Sequence, residues 1–129
     1  MLDKNILKQY KEIESKIEDE ADKLLAEINE IEKISGFKYL SFDKFYYGDI
    51  EYSGEETWQY GGYQKHEYSL PMELLFDKEY KEKYIKDLKD KIAEKNRKKE
   101  ERIKEKEKQD FETAKAKYEK LKDKFEGEL

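Results

Sequence analysis

The sequence predicts an α+β fold in which two long antiparallel helices form a coiled coil, with a small three-stranded antiparallel β-meander inserted between them. The first observation is local composition. Residues 36–71 hold 11 of the 18 aromatic residues, five of the six glycines, and the single proline, histidine and tryptophan. The second is that apolar residues on either side recur at steps of three and four among Lys and Glu, which is typical of amphipathic helices.

The composition favours narrow apolar seams over a thick core. Of the 129 residues, 47% are charged and 36% are apolar, against about 25% and about 45–50% in ordinary globular chains. Such a composition is typical of coiled coils or of disorder, and the periodic apolar residues favour the coiled coil. The chain therefore reads as one elongated module over residues 1–129. It has no cysteine, and we expect neither disulfides nor a metal site.

Charge is distributed unevenly along the chain. Residues 1–36 carry 6 Lys against 10 Asp and Glu, residues 37–79 carry 4 against 9, and residues 80–129 carry 18 Lys and Arg against 14. The meander and the first helix are therefore acidic, and the remainder is mildly basic. No apolar run has the length of a signal-peptide core or a membrane span. We expect a cytoplasmic protein without a membrane partner.

The first helix is predicted over residues 1–35. Asp3 is a suitable N-cap, and Ser35-Gly36 is a suitable end. The seam of this helix needs a partner helix, because a long exposed Ile and Leu stripe is not expected to stay in water. Its apolar positions are Leu2, Ile6, Tyr10, Ile13, Ile17, Ala21, Leu24, Ile28 and Ile31.

The meander is predicted over residues 36–71. Residues 42–53 alternate and indicate one strand, followed by a turn at Ser53–Glu56. Residues 57–60 form a short second strand, and Gly61-Gly62 suits a two-residue hairpin. The third strand, residues 64–70, places His66 among its apolar residues. A sheet of this size with one aromatic face has to rest on the helices.

The second helix is predicted over residues 72–126. Pro71 suits the first helical turn, and Asp77 can cap the long helix. Folding this helix back along the first leaves an overhang of about 25 Å at 1.5 Å per residue. The overhang carries its own apolar stripe, for which we expect homodimerisation. The dimerisation residues are Phe111, Ala114, Tyr118, Leu121 and Phe125.

Three groups of polar residues suggest chemistry, and each also has a structural interpretation. His66 could be catalytic with Glu56 or Glu67 as partner, but a packed, hydrogen-bonded residue is favoured. Glu55-Glu56 could bind a cation or form a carboxylate pair, although a solvated turn or part of an acidic face fits better. The basic residues of 95–108 are interleaved with Glu, so a self-neutralising helix is favoured and direct nucleic-acid binding is disfavoured.

The aromatic residues around Gly61-Gly62 are the clearest indication of a binding surface. Tyr and Trp give large contact areas at low entropic cost, yet they also build the cores of small sheets, and the sequence leaves both options open. No glycine-rich phosphate-binding motif is present, and no cofactor is predicted. The predicted partner-binding residues are Trp58, Tyr60, Tyr63, Tyr47, Asp49, Glu51, Glu55 and Glu56.

Two resemblances apply. The order helix, β-meander, helix resembles a prefoldin subunit in architecture, although the helices are unequal and the insert is unusually aromatic. The run Trp58-Gln59-Tyr60-Gly61-Gly62-Tyr63, with Ser69-Leu70-Pro71-Met72-Glu73-Leu74-Leu75 after it, is similar to a strand, Gly-Gly, strand, Pro-turn pattern in small uncharacterised phage proteins. Some proteins of that kind inhibit host defence nucleases, so this resemblance implies an anti-defence inhibitor acting in the host cytoplasm.

Three classes of function remain. The favoured one is a non-enzymatic binding protein or inhibitor whose acidic, aromatic meander docks on the basic surface of another protein. The alternative is a prefoldin-like chaperone or a coiled-coil scaffold. An enzyme is disfavoured, because three strands resting on two helices offer little concavity for a pocket.

Overall fold

The computed structural model describes residues 1–127. Helix α1 spans Lys4–Glu32, strands β1, β2 and β3 span Ser41–Tyr46, Asp49–Thr57 and Tyr63–Pro71, and helix α2 spans Lys78–Gly127. Short 3₁₀ turns occupy Phe37–Tyr39 and Met72–Leu75. The strands form one antiparallel sheet in the order β1-β2-β3. The predicted α+β class is therefore confirmed. The chain divides into two units, Met1–Lys89 and the part of α2 from Asp90 onward.

The helix ends follow from local hydrogen bonding. The Asp3 carboxylate accepts the backbone N–H of Asn5 at 3.0 Å, and Asp77 accepts that of Tyr80 at 3.1 Å, so both predicted N-caps are confirmed. Helix α1 ends at Glu32, a few residues before the predicted end, because Lys33 adopts the left-handed conformation with φ of 56°. The Asn29 side chain then accepts the N–H of Ile34 at 2.8 Å.

The predicted continuous strand over residues 42–53 is wrong. The chain reverses at Tyr47-Gly48, where both residues have positive φ, 46° and 81°. A two-residue turn of this kind matches the twist of the flanking strands. The pairing is also irregular at Asp43, between Phe42 and Lys44. The tight turn changes which alternate residues face the core, and the bulge changes this a second time. Phe42 therefore stays in phase with Ile50, and the alternation over residues 42–53 looks continuous in the sequence.

The predicted turn at Ser53–Glu56 is also wrong, because these residues lie within β2. Gly54 pairs with His66, and a Cβ at Gly54 would lie 1.5 Å from the carbonyl oxygen of Tyr39. Glycine is therefore needed here for close approach of the first 3₁₀ turn and not for chain reversal.

The connection from β2 to β3 is longer than the predicted Gly-Gly hairpin. It covers residues 58–62, where the Trp58 N–H donates to the Gly62 carbonyl at 2.9 Å. The predicted strand over 57–60 is consequently wrong. Pro71 ends β3 opposite Asp49 and directly precedes the 3₁₀ turn Met72–Leu75, whereas α2 itself begins only at Lys78. The N–H of the next residue, Met72, donates to the Gly48 carbonyl at 2.9 Å.

The core lies between the second half of α1 and one face of the sheet. Full burial contributes about 1.5–3 kcal/mol for each large aliphatic side chain. Tyr52 is the largest fully buried side chain, and its hydroxyl donates to the Ala21 carbonyl at 2.6 Å. Burial, with the nearby Asp22 carboxylate, raises the pKa of Tyr52, so the hydroxyl keeps its proton. The buried residues are Ala21, Leu24, Leu25, Ile28, Ile50, Tyr52, Leu70 and Leu74.

The first turns of α2 complete this core. Tyr84, Ile85 and Leu88 are partly buried against it. The Lys81 ammonium lies 2.6 Å from the Glu27 carboxylate of α1. The apolar positions in the second half of α1 are thus buried by the sheet as well as by these turns. Coiled-coil pairing of the helices is not confirmed, and it is taken up under the proposed function.

The hydroxyl of Tyr52 provides a direct test of the contact between α1 and the sheet. Tyr52→Phe keeps the ring but removes the hydrogen bond to Ala21, so the free energy of unfolding in urea should fall by about 1 kcal/mol. Tyr46→Phe is the matched control, since Tyr46 is 53% exposed, and it should leave stability unchanged. Equal stability of the Tyr52→Phe variant and the wild type would contradict this account.

Candidate functional site

The two faces of the sheet differ in residue type because side chains alternate along each strand. The inner face carries Phe42 and Phe45 from β1, Ile50 and Tyr52 from β2, and Leu70 from β3, all within or against the core. The opposite side, which we call the outer face, carries the intervening residues. Its members are Asp43, Lys44, Tyr46, Asp49, Glu51, Ser53, Glu55, Thr57, Tyr63, Lys65, Glu67 and Ser69.

The outer face is acidic, with five carboxylates against two ammonium groups. Asp43, at the strand irregularity, lines the same open depression of about 560 Å³ as Glu51 and Glu67. Lys65 lies 3.0 Å from Glu67. The hydrogen bond to Glu67 raises the pKa of Lys65, and the charges of Glu67, Asp43 and Glu55 raise it further. One ammonium group thus interacts with three carboxylates, which indicates a negative potential over this surface.

The predicted aromatic residues lie at one end of this face. Trp58 is 50% exposed, Tyr60 98% and Tyr63 67%. Trp58 packs over Gly62, where a Cβ would lie 2.8 Å from the indole ring. Trp58 and Tyr63 share an open depression of about 340 Å³ with Glu55. Aromatic and acidic groups therefore meet at the β2–β3 end of the outer face.

The structure does not bring all the predicted site residues together. Tyr47, 90% exposed, lies in the β1–β2 turn, and Asp49 begins β2 beside it. The aromatic connection follows the other end of the same nine-residue strand, about 27 Å away at 3.4 Å per residue. Tyr47 and Trp58 are thus too far apart to form one compact patch. Asp49, Glu51 and Glu55 do share the outer face along β2.

Glu56 lies on the inner side of the sheet and not on the outer face, because it is in phase with Ile50 and Tyr52. Its carboxylate accepts a hydrogen bond from the Tyr39 hydroxyl at 3.1 Å and lies 3.1 Å from His66 Nε2. Its side chain is 26% exposed. Glu56 is therefore occupied in holding the first 3₁₀ turn to the sheet.

His66 is packed and hydrogen-bonded, as the favoured interpretation expected. Its side chain is 11% exposed, and its ring stacks on Tyr39 with centroids 5.2 Å apart. Gly36 permits this packing, since a Cβ there would lie 2.2 Å from His66 Nδ1. Gly36 also has a φ of 72°, which favours glycine. We refer to Tyr39, Glu56 and His66 as the inner cluster.

Asp43 and Glu67 of the outer face were missed by the sequence analysis. The alternation of β3 could have identified Glu67, because it lies between His66 and Tyr68 in a strand whose apolar phase was recognised. Asp43 gave a similar signal, since the alternation of residues 42–53 puts it in phase with Asp49 and Glu51, although the chain reverses between them. Sequence reasoning concentrated instead on a turn at Glu55-Glu56.

The mixed-charge stretch of α2 has local ion pairs, as expected for a self-neutralising helix. The Arg97 guanidinium binds Glu94 at 2.6 Å and Glu101 at 2.5 Å. These carboxylates, the hydrogen bond to Glu94 first, raise the pKa of Arg97. Within residues 1–127, no group of three or more potential metal-binding side chains is suitably placed for an ion. No helix of this part of the chain has the length and apolar character to cross a membrane.

The inner cluster predicts a pH dependence of stability. The hydrogen bond with His66, supported by Tyr39 and the charges of His66 and Lys38, holds the pKa of Glu56 below its ordinary value of 4.5. A lowered carboxylate pKa stabilises the folded state above that ordinary value, and the contribution is lost as pH falls through the lowered pKa. Glu56→Gln should therefore destabilise the protein at neutral pH, with the difference shrinking below pH 4.5.

The measurement is urea unfolding of both proteins across this pH range. His66→Gln, which should itself cost about 1 kcal/mol, serves as the matched background because it removes the largest cause of the shift. In that background the pH dependence of the Glu56→Gln effect should be clearly smaller. An effect that is the same at all pH values would show that the charge of Glu56 contributes nothing.

Comparisons with protein-family models, with curated proteins and with solved structures found no match to this chain. Inference about function therefore starts from the chain's own surface. The feature with the clearest chemical character is the acidic outer face of the sheet, bordered by Trp58 and Tyr63 at one end.

Proposed function

We propose that this chain is a non-enzymatic protein-binding protein whose outer face docks on a basic surface of another protein. The observation that carries the proposal is the excess of carboxylates on an exposed sheet face whose other side is committed to the core. Glu67 illustrates the accessibility of this face, since its side chain is 68% exposed.

Electrostatics and shape support this function in different ways. Complementary charge accelerates association and excludes partners of the wrong sign. Trp58 and Tyr63, at the edge of the carboxylates, supply the large, rigid contact area that binding hot spots require. A sheet also presents its side chains at fixed spacing, so little conformational entropy is lost on binding. Charge would set the rate of encounter, and the aromatic side chains would hold the complex together.

The resemblance to small phage proteins suggests the kind of partner. We propose a phage or mobile-element inhibitor that binds a host defence nuclease, in the host cytoplasm. Enzymes that act on nucleic acid present basic surfaces to the phosphate backbone. An acidic face such as that formed by Asp43, Glu51, Glu55 and Glu67 is complementary to such a surface.

A prefoldin-like chaperone or a coiled-coil scaffold is the second candidate. The observation that favours it is the exposed apolar stripe in the first half of α1. Ile6 is 53% exposed, Tyr10 62% and Ile13 59%. Exposed apolar stripes are sites for other helices or for unfolded chains. In this proposal the helices pair as coiled coils and the sheet serves as a connector.

Reversal of charge on the outer face separates the two candidates. Glu51→Lys/Glu67→Lys should slow association with the partner by about tenfold or more at low salt. The effect should weaken at higher salt, because charges are screened beyond about 10 Å near 0.1 M. The control is Glu100→Lys/Glu105→Lys, which makes the same change in net charge on exposed residues of α2.

The partner is first isolated from lysate of the native host with the wild type and both variants as bait. One stoichiometric protein retained by the wild type and the control, but lost with the outer-face variant, is the expected result. Trp58→Ala should weaken binding of that protein by about 2 kcal/mol, with unchanged circular dichroism. Many unfolded clients retained equally by all three baits would contradict the proposal and favour the chaperone.

A further inference from the structure

The last part of α2 carries an apolar stripe with a regular heptad spacing. Phe111, Tyr118 and Phe125 are seven residues apart, with Ala114 and Leu121 between them at steps of three and four. All five lie within the helix and are exposed, Leu121 at 64% and Phe125 at 73%. We call these five residues the C-terminal stripe. In heptad notation the three aromatic residues occupy a positions, and Ala114 and Leu121 occupy d positions.

The width of the stripe indicates what can cover it. Apart from the small Ala116 at an f position, only the a and d positions of this segment are apolar, whereas helices that lie on a core or a membrane surface have a wider apolar face. A strict a and d seam is the surface that receives one partner helix. The small Ala114 between Phe111 and Tyr118 leaves room for a large side chain of that helix. The geometry therefore favours a helix over a lipid surface.

The residues that border the stripe are almost all basic. On one side, at the e positions, lie Lys108, Lys115 and Lys122, and on the other, at the g positions, lie Asp110, Lys117 and Lys124. The acidic residues of this segment are mostly further from the seam, at Glu112, Glu119, Asp123 and Glu126. Residues at e and g set partner choice in coiled coils.

These borders argue against the same stripe of a second copy as the occupant. An antiparallel pair places Lys115 beside Lys115 and Lys117 beside Lys117, and a parallel pair places Lys117 opposite Lys122. Asp110 replaces a contact between like charges with one between opposite charges at only one position in each chain. Like charges at these positions are destabilising. The homodimer expected from the apolar spacing alone is therefore disfavoured by the charges next to it.

We propose that the C-terminal stripe binds an amphipathic helix of another protein whose seam is bordered by Glu and Asp. The apolar seam supplies the contact area, and the five bordering lysines select the acidic partner. This inference concerns α2 from Asp90 onward and does not depend on the function proposed for the sheet.

Two designed peptides test the proposal on the full-length protein. Both contain three heptads with Ile at a and Leu at d, and one has Glu at e and g where the other has Lys. Fluorescence anisotropy should show that the Glu peptide binds about tenfold or more tightly than the Lys peptide. Lys115→Glu/Lys117→Glu/Lys122→Glu should invert this preference. Leu121→Asp should abolish binding, and Glu119→Lys, on the far side of the helix, should preserve it.

Three results would overturn the proposal. The first is equal binding of the two peptides, or binding of neither, by a protein whose circular dichroism confirms a helical α2. The second is a wild-type dimer at physiological salt in sedimentation that Leu121→Asp converts to a monomer, because a second copy would then occupy the stripe. The third is cosedimentation with phosphatidylserine vesicles that Leu121→Asp abolishes, because a lipid surface would then be the occupant.

Discussion

The packing of the inner face of β2 on α1 is the interaction on which the rest of the structure depends. In a chain with 47% charged residues, the fully buried core consists of a few side chains around Ile50 and Tyr52 and the α1 residues that cover them. The Tyr52 hydroxyl fixes the helix against the strand through the Ala21 carbonyl. Since the sheet uses one face for this core, its other face is available for charge, and the acidic outer face follows from that division.

Glycine and the inner cluster determine how the chain enters the sheet. Gly54 allows the carbonyl of Tyr39 to approach β2, and Gly36 allows the ring of His66 to pack below the end of α1. Tyr39 and His66 then enclose the Glu56 carboxylate with hydrogen bonds. A carboxylate held in this way contributes to stability and not to recognition. The acidic residues of the meander therefore divide into a structural one and a group exposed on the outer face.

The sequence predicted some features of this fold well and others poorly, for physical reasons. Both N-caps and the α+β class followed from helical periodicity and capping chemistry, which are local. The reversal at Tyr47-Gly48 lacks the Asn-Gly or Asp-Gly signal of such turns, and the irregularity at Asp43 masks the change of strand. Gly54 resembled a turn residue, although its role is a contact with a segment distant in sequence. Glu56 was assigned to a binding surface for that reason, and Glu67 was overlooked.

The central claim is that the inner face of the sheet forms the core and the outer face does not. An alanine scan along β2 tests this claim most directly. Unfolding in urea should show that Ile50→Ala and Tyr52→Ala each cost about 3 kcal/mol or more. Glu51→Ala and Ser53→Ala, which alternate with them on the outer face, should stay within about 0.5 kcal/mol of the wild type. Losses of similar size at all four positions would contradict the claim, because the outer face would then be part of the folding core.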